Sequence, residues 1–257
     1  MERELFNKEQ IPYICTPLTG KTTDEISSEL TNIVSKQPDM LEWRVDFFSD
    51  IDKTDKVLAT LKEIHSLSNG LPLLFTIRSH KEGGQEISLV ENQVVDLLCE
   101  VCKSDFVDLI DFEAANPLEH IQRVKKATMQ HRKKLVLSHH KFDTTPSKSD
   151  IIKQLAKMSH FGADVAKVAF MPNTHEDVMA LLEATKETNE LLDIELITIS
   201  MGDIGVMSRV LGWLYGSVLT FAVGEKSSAP GQISIEALQG MIDLIKKENS
   251  FEKIISK

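Results

Sequence analysis

The stretch Ala163-Asp164-Val165-Ala166-Lys167-Val168-Ala169-Phe170-Met171-Pro172 decides the fold. Its core reads as a strand buried on both faces, which is the mark of a parallel sheet covered by helices. One ammonium group, that of Lys167, interrupts the apolar run. Lysine is almost never fully buried without a partner or a task. Two readings stand at this point. The lysine reaches out of a strand end to water, or it sits in a dry site, where it loses its proton readily and attacks carbonyl carbons.

Outward from this strand the same texture recurs. Short apolar, β-branched runs occupy Ile11–Thr16, Met40–Phe47, Leu73–Arg78, Phe106–Glu113, Leu135–His140, Val165–Phe170, Leu196–Met201 and Val218–Val223. Each is followed by a stretch with apolar residues at helical spacing, near Thr23–Ser35, Lys56–Ser66, Leu89–Lys103, Pro117–Met129, Asp150–His160, His175–Asn189, Val206–Tyr215 and Ile235–Lys247. Asn116-Pro117 predicts a cap and a first-turn proline. Thr174-His175-Glu176-Asp177 places acids in a first turn, and Ser234 offers another cap. Eight strand–helix units in 257 residues predict an α/β fold of the (β/α)8 TIM-barrel type. No linker or composition shift divides the chain, so one domain is expected over residues 1–257, with residues 1–10 read as a strand capping the barrel bottom. Gly224–Gly231, after the last strand, reads as a lid loop.

Composition narrows the function. The net charge of −10 argues against nucleic acid, whose backbone requires a basic face. No apolar stretch approaches a membrane span, and the N-terminus lacks a signal-peptide core. Three cysteines, Cys15, Cys99 and Cys102, do not make a disulfide framework. A cytoplasmic location is the resulting expectation. Thr19-Gly20-Lys21-Thr22 mimics the end of a phosphate-binding loop, but Cys15 stands where that pattern needs glycine. Cys99 and Cys102 lie one helical turn apart and read as core residues. Zinc-protease, dinucleotide and serine-hydrolase motifs are missing.

Polar chemistry gathers at strand ends. In Leu-Glu-Trp-Arg-Val-Asp, alternation puts Glu42, Arg44 and Asp46 on one face, either as a polar patch inside the barrel or as a self-satisfied ion pair. Thr76-Ile77-Arg78 precedes His80-Lys81-Glu82-Gly83-Gly84. The fifth run ends in Ser138-His139-His140, whose imidazoles point to opposite sides, and His140 shares its face with Ser138 and Val136. A histidine there is a candidate acid/base, and Lys167 lies on the neighbouring strand. Ser200-Met201-Gly202 leads into a helix that carries Arg209, a candidate carboxylate clamp.

Glu-Trp-Arg-Val-Asp, Thr-Ile-Arg with Glu-Gly-Gly, Ser-His-His-Lys-Phe-Asp-Thr-Thr-Pro, Val-Ala-Lys-Val-Ala, Ser-Met-Gly with Ser-Arg, and Ser-Ala-Pro-Gly-Gln follow one another along nearly the whole chain. In this order and spacing they resemble the type I 3-dehydroquinate dehydratases, lyases of the shikimate pathway. The resemblance implies a metal-free and cofactor-free dehydration of 3-dehydroquinate to 3-dehydroshikimate. Lys167 would form an imine, His140 would move the proton, and Glu82 would orient the histidine. Arg209 would hold the substrate carboxylate. Glu42, Arg44, Arg78, Ser228 and Gln232 would grip ring hydroxyls, with Met201 and Phe221 as pocket walls. His139 stands where the family often has tyrosine; strand parity selects His140 as the acid/base. Asp111 and Glu113 match an acidic pair whose role stays open between supporting the site and structural pairing. A homodimer is also implied. Arg44, Arg78 and Arg209 are expected to crowd Lys167 with like charge and make the pocket cationic. The competing readings are another lysine-imine barrel, such as a class I aldolase, and a non-catalytic barrel that binds a shikimate-like ligand.

Overall fold

The computed structural model describes residues 5–224 and 229–248. Eight parallel strands alternate with eight helices. They are β1 (Tyr13–Leu18), α1 (Thr23–Val34), β2 (Met40–Arg44), α2 (Thr54–Leu67), β3 (Leu73–Thr76), α3 (Glu91–Cys102), β4 (Leu109–Glu113), α4 (Leu118–Gln130), β5 (Lys134–Lys141), α5 (Lys148–His160), β6 (Val165–Phe170), α6 (His175–Leu191), β7 (Glu195–Ser200), α7 (Val206–Leu211), β8 (Leu219–Phe221) and α8 (Ile235–Glu248). The strands hydrogen-bond in sequence order from β1 to β7, and β8 pairs with β1. A bridge between Leu196 and Ser217 brings the two ends of the sheet together, and the Val218 N–H donates to the Leu196 carbonyl at 2.8 Å. The predicted (β/α)8 TIM barrel is therefore the fold.

Local chemistry explains the boundaries. Thr174 caps α6 by accepting from the Asp177 N–H, and Asp177 returns the bond in a capping box. Ser234 accepts from the Ala237 N–H at the start of α8. The predicted cap at Asn116 is one residue early. Pro117 is the N-cap of α4, and the Asn116 side-chain amide donates instead to the Glu113 carbonyl. The second strand is shorter than expected, because Val45–Phe47 turns into a 3-10 helix after Arg44. Asp46 thus leaves the strand yet returns to Arg44 through a two-pronged ion pair, both contacts at 2.8 Å.

Two apolar layers hold the barrel. Outward-facing residues such as Ile14, Trp43, Phe75, Val168 and Phe170 pack against the helices. Inward-facing residues at the N-terminal end fill the interior: Tyr13, Met40, Leu74, Leu109, Val136, Val165 and Leu219. Phe6 is buried with them, its ring edge-on to Tyr13 at 5.4 Å. No strand forms between residues 5 and 12. Among the described residues no helix is long and apolar enough to cross a membrane.

Candidate active site

Two residues further along several inward faces, the apolar layer gives way to charge. Glu42 follows Met40, Asp111 follows Leu109, Ser138 follows Val136, and Lys167 follows Val165. Each step is about 6.6 Å along a parallel strand. Of these four, Glu42 and Lys167 line a cavity of about 510 Å3, partly continuous with solvent, on the C-terminal side of the strands. Glu42, Arg44, Arg78, Glu82, His140, Lys167, Met201, Arg209, Phe221 and Gln232 all line it. Ser228, the remaining predicted contact, lies outside the described residues, as does the middle of the expected lid loop at 225–228. Sequence reading missed Ala169, Ile199 and Phe142. Parity could have found all three, because they lie two positions from Lys167, Met201 and His140.

Lys167 is 4% exposed. Its Nζ lies 3.0 Å from Asp111 Oδ2 and 3.4 Å from Glu42 Oε1, and 4.7 Å above the centre of the Phe221 ring. The predicted crowd of guanidinium groups is therefore not what the amine touches. Each arginine is engaged elsewhere. Arg44 is chelated by Asp46 and lies over the Phe47 ring. Arg78 donates to Asp111 Oδ1 at 2.7 Å, to Ser138 Oγ at 2.8 Å and to Glu113 Oε1 at 3.2 Å. In the cavity lining the cations Arg44, Arg78, Lys167 and Arg209 outnumber the carboxylates Glu42 and Glu82, and Asp46, Asp111 and Glu113, buried beside Arg44 and Arg78, offset the excess.

This balance follows from the cost of burying charge, which is repaid only by close pairing and full hydrogen bonding. Asp111 carries most of it. It meets Arg78, Lys167 and the Ser138 hydroxyl at once. Burial opposes its charge, yet the Arg78 and Lys167 cations outweigh burial and hold its carboxyl well below the usual range. The two acids take different partners. Asp111 touches the lysine directly. Glu113 clamps Arg78 and accepts from the Ser79 N–H, and burial raises its pKa.

His140 projects from β5 beside β6. Its neighbour in register is Ala169, while Lys167 pairs with Ser138, one pleat deeper. The His140 Nδ1 lies 3.0 Å from Glu82 Oε2, which also accepts the His140 backbone N–H at 3.0 Å. An ionised carboxylate only accepts, so Nδ1 carries the proton and Nε2 is the bare nitrogen. Burial, then the Arg78 charge, push the histidine down to about 3. His140 is therefore neutral in the folded chain. Burial acts against the Glu82 carboxylate, but hydrogen bonds from His139 and His140 and the Arg78 charge hold it at about 2. Gly83 follows at φ +84°, where an added Cβ would strike the Phe142 ring.

Arg209 differs from the other cations. It is 2% exposed and has no carboxylate partner among the described residues. Its Nη2 donates to the Pro230 carbonyl at 2.8 Å, and its buried Nε has no hydrogen-bond partner. Burial lowers its pKa to about 10. A small carboxylate would complete this group by a two-pronged contact. Among the described residues no three His, Cys, Asp or Glu side chains gather so as to hold a metal ion.

Comparison with known proteins agrees along the whole barrel. A model of the type I 3-dehydroquinase family matches residues 14–249. A 3-dehydroquinate dehydratase of Albidiferax ferrireducens is 46% identical over 238 residues, 93% of this chain and 90% of that protein. The crystal structure of 3-dehydroquinate dehydratase from Geobacillus kaustophilus superposes with a TM-score of 0.91 at 44% identity, covering 94% and 93% of the two chains. A type I enzyme from Clostridium difficile, crystallised with covalently modified comenic acid, gives a TM-score of 0.89 at 38% identity over 93% and 94%.

Proposed function

The chain belongs to the type I 3-dehydroquinase family, and from that premise we propose that it dehydrates 3-dehydroquinate to 3-dehydroshikimate through an imine on Lys167. The observation that carries this reading is the shared cavity, in which a buried primary amine and a neutral histidine face inward from adjacent strands.

The substrate carboxylate would complete Arg209, whose charge no described anion balances. That places the ring over Lys167, between the Met201 and Phe221 walls. The unprotonated amine attacks the C3 carbonyl carbon, and loss of water leaves a C=N bond. The imine nitrogen takes up a proton; His140 Nε2 then removes a C2 proton, and the electron pair moves into the protonated imine to give an enamine. The enamine then expels the C1 hydroxyl, which leaves as water with the proton returned by His140. Water hydrolyses the remaining imine and frees Lys167. Net, one water is lost. Glu82 keeps the histidine in the one tautomer that presents Nε2 to the cavity. The depressed basicity of His140 makes its protonated form a strong acid for the expulsion step. The covalently modified ligand in the Clostridium difficile relative supports a covalent step. Glu42, Arg44, Arg78, Ser228 and Gln232 would meet ring hydroxyls; of these, Arg44 and Arg78 would do so while keeping their carboxylate partners. The reading extends to one barrel domain, a homodimer and a cytoplasmic enzyme, on the family resemblance.

Borohydride added during turnover tests the core of this reading. It should leave one reduced adduct, and peptide mass mapping should place it on Lys167. An adduct on another lysine, or none, would overturn the imine mechanism.

A further inference from the structure

β4 pairs with β5 only as far as Glu113 and Ser138. The next N–H on that edge of β5, that of His140, therefore has no strand to meet. Glu82 comes over from the 3-10 turn His80–Glu82 and takes the vacant place. Its carboxylate straddles the strand end. Side chains 139 and 140 leave a strand on opposite sides, yet both rings reach this one group. Oε2 receives the His140 N–H and Nδ1, with Arg78 Nη1 at 3.5 Å. Oε1 has a single hydrogen-bond donor among the described residues, His139 Nδ1 at 3.1 Å.

The two partners of that bond are unequally buried. The His139 side chain is 28% exposed and the Glu82 side chain 7%. Water can satisfy the histidine; the carboxylate is the member that needs the bond. The Phe170 ring meets His139 in a T-shaped contact, centroids 6.0 Å apart, that steadies the imidazole plane. Without a donor at Oε1, only the contacts at Oε2 restrain the Glu82 carboxylate from turning about its terminal bond. Its hold on the His140 tautomer then loosens.

We propose that His139 is a positioning residue for the dehydration, its Nδ1–H fixing Glu82 Oε1 so that Oε2 keeps His140 with Nε2 bare toward the cavity. This rests on the reading of His140 as the proton carrier. It concerns the proton steps, so the effect falls on kcat and leaves substrate binding alone.

His139→Phe keeps a ring against Phe170 and deletes the donor. His139→Asn keeps an N–H donor at the same reach from the backbone. The Phe variant should lose about 10- to 100-fold in kcat with KM unchanged, in line with the loss of one charge-assisted hydrogen bond. The Asn variant should recover most of that loss. Nitrogen-15 NMR should show His140 as one tautomer, protonated at Nδ1, in the native enzyme and the Asn variant, and as a mixture in the Phe variant. His139→Leu serves as the donor-free variant should the Phe protein fail to fold. Full kcat in the donor-free variant overturns the proposal, and so does an Asn variant as impaired as the Phe variant. A fully active His140→Ala enzyme would instead defeat the proton-carrier reading, a failure that the His139 variants cannot mimic.

Discussion

The two ends of the barrel interior are built on the same strands and the same inward faces, yet they obey different rules. At the N-terminal end Met40, Leu109, Val136 and Val165 interlock with Tyr13 and Leu219 in an apolar plug. One pleat later on the same four strands stand Glu42, Asp111, Ser138 and Lys167, held by ion pairs and hydrogen bonds. The plug gains stability from burial alone. The upper layer removes ions from water and recovers the cost only through pairing. Its worth lies in chemistry, in keeping with catalysis at the C-terminal face of such barrels. A single pleat thus separates the residues that hold the fold from those expected to act.

The division is tested most severely at Lys167. Lys167→Ala should lower turnover by at least about 10^4-fold, as loss of a covalent group does. It also leaves Asp111 and Glu42 without their shared cation, a cost of about 3 kcal/mol. Circular dichroism should still show a folded barrel. Substantial residual turnover would break the division at its centre.

The reverse experiment lies two residues below Asp111. Leu109→Ala should destabilise the protein by about 2–4 kcal/mol, because the closed interior cannot collapse around the missing atoms. Steady-state constants of the folded enzyme should stay those of the native chain. A kcat loss comparable to that of the lysine variant would show that the plug also shapes the site.

Sequence made much of this division visible. Hydrophobic periodicity located every strand and helix, and period-two parity put His140, Ser138 and Val136 on one face. What it left obscure was pairing across the barrel. Arg44 and Asp46 lie two residues apart and could be matched by eye, although the turn that joins them was hidden in a run read as strand. Arg78 and Asp111 lie 33 residues apart and meet only through the register of β3 against β4. Choosing arginine neighbours for Lys167 failed for that reason. Buried guanidinium groups recruit carboxylates first, and carboxylates become what the amine touches. That Glu82 also holds His139 was equally hidden, because its place over the strand end depends on where β4 stops.

Within the upper layer, Arg209 sharpens the comparison, since it is the one buried cation without a described anion. Arg209→Ala should raise KM by about 10- to 100-fold, the worth of a charge-assisted contact to a carboxylate, and change kcat less. Arg209→Lys should recover only part of it, because an ammonium cannot offer the planar fork. Initial-rate kinetics decide this. An unchanged KM in the alanine variant would move the carboxylate site elsewhere.

The smallest effect concerns protons. His140 is held at about 3 in the folded chain, against an ordinary value of about 6.5 in an unfolded one. Between those values the unfolded chain binds a proton that the folded chain refuses. Stability therefore falls as pH drops below about 6.5. Glu82, held at about 2, adds loss of the same sign only below its ordinary value of about 4.3. Acidification from pH 6.5 to 4.5 consequently isolates the histidine. Over that span His140→Gln should flatten the slope of unfolding free energy against pH, measured by urea denaturation, by up to about 1.4 kcal/mol per pH unit. Groups common to both proteins cancel in the difference, and the apolar plug offers no histidine of its own. Coincident slopes would mean that the fold does not hold His140 neutral, and the charged end would then lose its base.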